Sequence, residues 1–467
     1  MNYTIDDAPL TWRHYFITGV ASLGQLIGTG LATLVSIIIP LYQLVSHPEL
    51  SSTMQGIVGA MDLIGIMVGS VILGKLSDRY GYIFFFRLCP AIVCLSGIVC
   101  LIWPSLWVLI ICLFFMGFGI GGEYSLDSNY ISELMPTKWV FFMVGAAKAA
   151  SAFGNIIVAL VCFLIVRDWH SADLWPQLMW IMIVISGIMV LTRIKFWESP
   201  KWLLEHGQTI HAEEDAHHFL GNNVSVTTAD LTPDELEHQK KSHNDQDFFK
   251  RNWKNVIFTG LPWACEGLGV YGIGVFLPIL VLALGLEHFS AGEDPLKRVT
   301  SSIEITLWIS CIILPGFILG LYLIKKISAP KIQWGGFFLS AISLLILLLA
   351  YHYNWAKWIS IGAFMAFELF LNMGPHLITF VLPPKVYPVA DRGLGTGIAA
   401  SLGKLGAVLG VFFIPILLHL GGSSLVLIVS IIVMLIGGIV TIVFDPERKS
   451  GEKSSQNRIV AKNEIIG

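Results

Sequence analysis

Apolar residues run through this chain in stretches long enough to cross about 30 Å of hydrocarbon, which takes roughly 20 helical residues. Six such stretches fall near 16-43, 54-76, 83-103, 106-134, 139-166 and 174-196. Six more fall near 255-284, 299-324, 333-353, 356-382, 393-420 and 423-444. The interval from Trp197 to Lys254 interrupts the series and holds nearly all of the long polar sequence, including His206, His211, Glu213, Asp215 and Lys240. The pattern predicts an all-α membrane protein of twelve transmembrane helices, arranged as a bundle over 1-196, a soluble connector over 197-254, a second bundle over 255-444 and a polar tail over 445-467.

Composition agrees: 55% of the residues are hydrophobic, 13% are charged and the mean hydropathy is +0.73, outside the range of soluble domains. A net charge of -3 supplies no basic field for nucleic acid. All of the cysteines lie in apolar runs, where cysteine behaves as a small buried hydrophobe, and no Cys/His spacing forms a metal module. Met1 to His14 lacks the basic, apolar and small-residue order of a cleaved signal, so the first span is expected to direct insertion. Lysine and arginine set the orientation, because short cytoplasmic loops accumulate them. With the N-terminus inside, Arg13, Arg79, Arg193, the connector lysines and the C-terminal cluster face the cytoplasm. Only Arg167, Lys297, Arg298 and Lys357 face out, and Lys148 and Lys404 remain inside helices. Both termini are therefore expected in the cytoplasm.

Between the second and third spans runs Gly74-Lys75-Leu76-Ser77-Asp78-Arg79-Tyr80-Gly81. It resembles the G-x-L-x-D-R-x-G loop of the major facilitator superfamily, which implies a gating latch at Asp78 and Arg79. The usual basic pair after the last glycine is replaced by Tyr82 and Ile83. Glu198-Ser199-Pro200-Lys201-Trp202-Leu203 resembles the E-S-P-R-W-L segment of that superfamily's sugar and metabolite branch. Asp445-Pro446-Glu447-Arg448-Lys449 resembles the branch's final motif. The resemblance implies the major facilitator fold, in which two pseudo-symmetric six-helix bundles rock about a central site, and a monomeric transporter in the cell membrane.

Inside the helices, Gly117 to Tyr124, Gly374-Pro375-His376 through Pro388 and Ala399 to Ala407, together with Trp263, Tyr271 and Gly272, resemble the phosphate:proton symporter family. Several positions depart from it. Glu123 stands where the family has Asp, and Gly267 stands at the helix-seven Asp, with Glu266 one place earlier. His376 replaces Asn, and the first helix carries Gln25 rather than Asp. A shift of one residue turns a helical side chain by about 100°.

Counting about 1.5 Å per residue from the inner helix ends puts Glu123, Lys148, Glu266 and Lys404 about 15 to 17 Å deep, with His376 in the same layer. That is half of a ~30 Å core. Each charge there costs about 2.5 to 3.5 kcal/mol on insertion scales, so these groups are expected to face a polar cavity, or Glu123 to pair statically with Lys148. Lysines from opposite halves point to a small anion between them, with Glu123 or Glu266 carrying a coupling proton. Tyr124, Trp263, Tyr271 and Gln25 are candidate cavity walls, the aromatics serving equally as packing. Asp62 and Asp127 are expected at a vestibule or gate, and Gly117, Gly119, Gly121 and Gly122 at helix contacts. The connector histidines are expected on a solvated surface. The expected function is proton-coupled symport of phosphate or a carboxylate, needing no cofactor or metal. Alternatives are a sugar, organic-cation or other metabolite carrier, and a nutrient sensor on the same scaffold.

Overall fold

The computed structural model describes residues 4–5, 7–46, 50–136, 138–169, 171–194, 196–220, 248–274, 276–284, 286, 295–387 and 389–446. Helices account for nearly all of them. The first five spans are α1 (Trp12–Val45), α2 (Ser52–Tyr80), α3 (Tyr82–Ile102), α4 (Leu106–Leu134) and α5 (Val140–Trp169). A 3-10 turn, Ala172–Leu178, leads into α6 (Met179–Thr192). Two short helices follow, α7 (Pro200–Glu205) and α8 (Thr209–Leu220). The seventh span is α9 (Phe248–Gly267), a π turn over Leu268–Ile273, and α10 (Leu277–Ala283). The eighth is α11 (Pro295–Cys311) with α12 (Ile313–Leu323), and the ninth is α13 (Ala329–His352). The tenth is α14 (Lys357–Met373) with α15 (Pro375–Val381), broken at Gly374. After α16 (Pro383–Val386), α17 (Val389–Phe444) carries the last two crossings. Eleven helical segments are long and apolar enough to span. Gly422, with φ 63° and ψ -168°, divides the longest into two, giving the expected twelve.

Helix pairing repeats between the halves. In the first, α1 packs on α5, α2 on α4 and α3 on α6. In the second, α9 packs on the first part of α17, α12 on α14, and α13 on the last part of α17. First meets fifth, second meets fourth and third meets sixth in both. Glycines make these contacts close. A Cβ on Gly65 or Gly69 would strike the carbonyls of Phe114 and Phe118, and one on Gly117 or Gly121 would strike those of Asp62 and Ile66. Gly316 and Gly320 meet Leu369 and Met373 in the same way. Lipid gives helices no hydrophobic reason to associate, so close backbone approach through small residues is what holds them. Gly119 and Gly122 also face a neighbouring helix, at Cys89, so all four expected packing glycines make contacts. Large apolar side chains such as Trp180, Leu191, Ile342 and Ile439 are exposed on the outer faces, where hydrocarbon is their solvent.

The halves touch on both sides of the centre. Gly56 of α2 lies against Phe412 of α17, and Gly145 of α5 lies against Leu321, Leu377 and Val381.

Candidate functional site

At the ends of α3 and α6 the E-S-P segment forms a hydrogen-bonded latch. The Glu198 carboxylate accepts from the backbone N–H of Tyr82 (2.9 Å) and Ile83 (3.1 Å), first-turn donors of α3 that have no partner within their own helix. Gly81, at φ 89°, leaves room for that carboxylate, which a Cβ would strike. Glu133 accepts from the Tyr82 hydroxyl (2.7 Å) and from that of Ser199. Asp215 of α8 accepts from the Glu198 N–H (3.1 Å). Burial raises the Glu198 and Asp215 carboxyls above their ordinary range, against the pull of these N–H groups. Arg79 is exposed over the Tyr80 ring at 5.3 Å. The Asp78 and Arg392 side chains, Pro388, residues 221–247 and Glu447 to Lys449 lie outside the described residues. On α8 and α7, His206, His211 and His218 are exposed as expected, with His218 stacked on Trp197 at 5.1 Å.

Arg193, counted among the cytoplasmic charges, caps α6 but turns inward and is fully buried. Its guanidinium donates to both Glu123 oxygens (2.6 and 2.7 Å) and to the Phe86 carbonyl (3.1 Å), and lies 4.7 Å from the Phe86 ring. Asp127 is 3.8 Å from the same group and accepts from Gln25 (3.3 Å). The expected static pair of Glu123 with Lys148 is thus replaced by a pair with Arg193, whose longer planar group reaches from the helix end, with Nη1 donating to both Glu123 oxygens and Nη2 turned toward Asp127 and the Val20 carbonyl. Gln25 belongs to this cluster and does not line the cavity described below. Asp127, expected at a gate, is fully buried in the cluster, and Asp62 is fully buried where α2 meets α4. Its Oδ1 accepts from the Leu63 N–H, while its Oδ2 has no hydrogen-bond partner.

Where the halves meet, four of the predicted groups do converge. Lys148 of α5 and Lys404 of α17 sit on pseudo-equivalent helices, both buried. Their ammonium groups lie over one Tyr124 ring, at 5.2 and 4.4 Å. Lys404 is also 3.8 Å from the Tyr271 ring, and Lys148 is 5.5 Å from that of Phe380. The Tyr124 and Tyr271 hydroxyls are hydrogen-bonded across the halves at 2.9 Å. Glu266 of α9 pairs with His376 Nδ1 of α15. Trp263 stands edge-on to Phe380 and against Gly403. Neither lysine has a carboxylate within ion-pair distance among the described residues. Two ammonium groups held against aromatic rings, with no carboxylate at ion-pair distance among the described residues, form a lysine cluster suited to an anion or to hydroxyl oxygens.

Beside this lysine cluster, lined in part by Tyr271 and His376, is a cavity of about 60 Å³. Its walls carry the hydroxyls of Thr29, Thr33, Thr306 and Ser310, the amides of Asn155 and Asn372, and one carboxylate, Glu368. Sequence reasoning missed Glu368, Asn372 and Arg193. Glu368, Asn372 and His376 recur every fourth residue, the spacing of one helical face, and that was a readable signal. Arg193 gave none, because a basic residue near the inner end of a span reads as an ordinary loop charge.

The chain matches the family model described as sugar (and other) transporter over residues 17–459. It is 24% identical over 446 residues to the inner membrane metabolite transport protein YgcS of Escherichia coli, covering 96% of this chain and 94% of that one. It is 23% identical over 455 residues to the repressible high-affinity phosphate permease of Neurospora crassa, covering 87% and 78%. Among solved structures, the partially occluded inward-open xylose transporter XylE of E. coli superposes with a TM-score of 0.76 at 19% identity, covering 93% of this chain and 98% of that one. The fold and the match over nearly the whole length agree: this multi-pass membrane protein is a member of the sugar (and other) transporter family, within the major facilitator superfamily.

Proposed function

We propose that the protein is a proton-coupled symporter of a small anion, phosphate or a carboxylate, with Lys148 and Lys404 as the anion ligands and the Glu266–His376 pair as the proton carrier. The observation that carries this is the pair of buried lysines without carboxylate partners on pseudo-equivalent helices. A cation in a low-dielectric interior is costly unless an opposite charge joins it, and with no carboxylate at ion-pair distance from either lysine among the described residues this arrangement favours an anion. Glu123 is the weaker candidate for the proton, because Arg193 already matches its charge. Tyr124, Tyr271 and Trp263 form the walls, and the halves 1-196 and 255-444 rock about them. The lysine and arginine distribution supports cytoplasmic termini in a cell membrane, and the single-chain site supports a monomer. The names of the phosphate permease and of several plant phosphate transporters among the relatives support the anion.

A second reading has its own support. The hydroxyl and amide lining of the neighbouring cavity suits a polyhydroxylated neutral metabolite, and one structural neighbour is titled a D-xylose-proton symporter. Proteoliposome uptake separates the two. Radiolabelled phosphate, succinate, lactate and xylose would be offered with and without an imposed pH gradient. Anion accumulation that follows the gradient and vanishes in both Lys148→Ala and Lys404→Ala is expected. Xylose uptake that survives both substitutions favours the second reading, and absence of any counterflow favours a sensor.

A further inference from the structure

Three buried carboxylates in the spans have a neighbour that settles their charge. Glu123 and Asp127 share Arg193, and Glu266 has His376. Glu368 is 5% exposed, and among the described residues its carboxylate accepts a hydrogen bond only from the Asn372 amide, 3.1 Å to Oε2; that amide also donates to the Glu368 backbone carbonyl at 2.8 Å. Asp62 also lacks a cation at ion-pair distance, but only Glu368 opens into the cavity. The cavity reaches from Glu368 past Asn372 to His376, and His376 contacts Glu266. A water needs roughly 10 to 15 Å³ of such space and two to four polar partners. The volume has room for a few waters along the hydroxyl-lined wall.

The charged and titratable groups on elements packed against α14 are Lys297, Arg298 and Glu304 of α11, Lys331 and His352 of α13, and His376 of α15; the phenols are Tyr322 and Tyr351. Across the cavity, α1 and α5 present only hydroxyls and an amide, and the π turn presents Tyr271. No cation among the described residues pairs with Glu368.

We propose that Glu368 is the external proton acceptor of this transporter, passing protons through cavity water to His376 and Glu266. This rests on the proton coupling read above. The transfer balances: the Glu368 carboxylate takes a proton from external water and releases it to the cavity water. His376 accepts it on the ring nitrogen not engaged with Glu266, and the proton on Nδ1 passes to the Glu266 carboxylate. Alternatively Glu368 only holds Asn372 in place, and the test is built to tell these apart.

Purified protein in liposomes would be assayed with whichever of phosphate, succinate and lactate gives the strongest wild-type counterflow. One pH unit of gradient concentrates a singly coupled substrate toward about tenfold. Glu368→Gln is expected to reach about onefold while keeping counterflow at equal pH, because exchange needs no net proton movement, and Glu368→Asp is expected to recover accumulation. Full accumulation by Glu368→Gln, or equal loss of accumulation and counterflow in a folded, monodisperse Gln variant, overturns the proposal. So does an Asp variant no better than Gln. A wild type whose accumulation ignores the gradient overturns the coupling itself, an outcome distinct from failure at Glu368 alone.

Discussion

Replacing Arg193 by Met tests whether the buried cluster of the first half is a true ion pair. The guanidinium makes hydrogen bonds of 2.6 and 2.7 Å to Glu123 and one of 3.1 Å to a backbone carbonyl, and it is the only cation within ion-pair distance of Glu123 or Asp127 among the described residues. Its removal leaves two carboxylates buried without a counter-ion. Breaking a buried pair from one side costs about 3–5 kcal/mol, whereas replacing both partners by uncharged groups of similar volume is often neutral. Arg193→Met is therefore expected to lose about 3–5 kcal/mol, and Arg193→Met with Glu123→Gln to recover most of it. Arg193→Lys falls between, since it keeps the charge and loses the fork. Unfolding by sodium dodecyl sulfate in mixed micelles, followed by tryptophan fluorescence, measures all four proteins. A single Met variant within about 0.5 kcal/mol of wild type, or a double variant no more stable than the single, would refute the reasoning.

Two further outcomes follow from local geometry. Gly117→Ala drives a Cβ into the Asp62 carbonyl and should cost about 1–3 kcal/mol, whereas Gly187→Ala, which meets nothing within 4 Å, should be neutral or slightly stabilising in the same micelle titration. In the Glu198 latch, burial raises the Glu198 and Asp215 carboxyls, so the docked state binds protons more readily than the undocked one, and docking weakens as pH rises through the raised values. Exchange protection of residues 199–220, corrected for intrinsic rates, should fall as pH rises from below to above the raised carboxyl range and fall less steeply in Glu198→Gln.

Much of this was legible because membrane proteins expose their physics in sequence. Span length, the polar connector and the Gly422 break follow from hydrocarbon thickness and glycine's freedom, and helical rise alone brought Lys148, Glu266, His376 and Lys404 to one depth. The partners of those charges were not legible. Depth is one coordinate; which way a side chain turns depends on helix rotation and on which neighbours crowd it. Glu123 lies at the depth of Lys148 yet pairs with Arg193. Gly24 of α1, where a Cβ would meet the Asp127 and Glu123 carboxylates, shows that packing of a third helix shapes that pocket. Glu368 escaped notice because a single acid in an apolar run gives little signal by itself; its register with Asn372 and His376 is the informative feature.

Under the proposed symport, the charges at the centre also constrain stoichiometry. Lys148, Lys404, Glu266 and Asp62 are all buried in the spans, and with both lysines charged and both acids ionised these four groups sum to zero. A proton on Glu266 leaves one positive charge, which a monovalent anion neutralises. Proton and anion then favour each other's binding without touching, since each removes the electrostatic cost of the other, and linkage makes the effect reciprocal. One proton moving with one monovalent anion carries no net charge. Membrane potential, worth about 2.3 kcal/mol per charge per 100 mV, should therefore leave lactate-type uptake unchanged at fixed pH gradient. A divalent anion with a single proton would instead be slowed by an inside-negative potential. Potassium diffusion potentials set with valinomycin in proteoliposomes measure this directly. Acceleration of monovalent anion uptake by an inside-negative potential would mean more than one proton per anion, and the four-charge balance at Lys148, Lys404, Asp62 and Glu266 would be wrong.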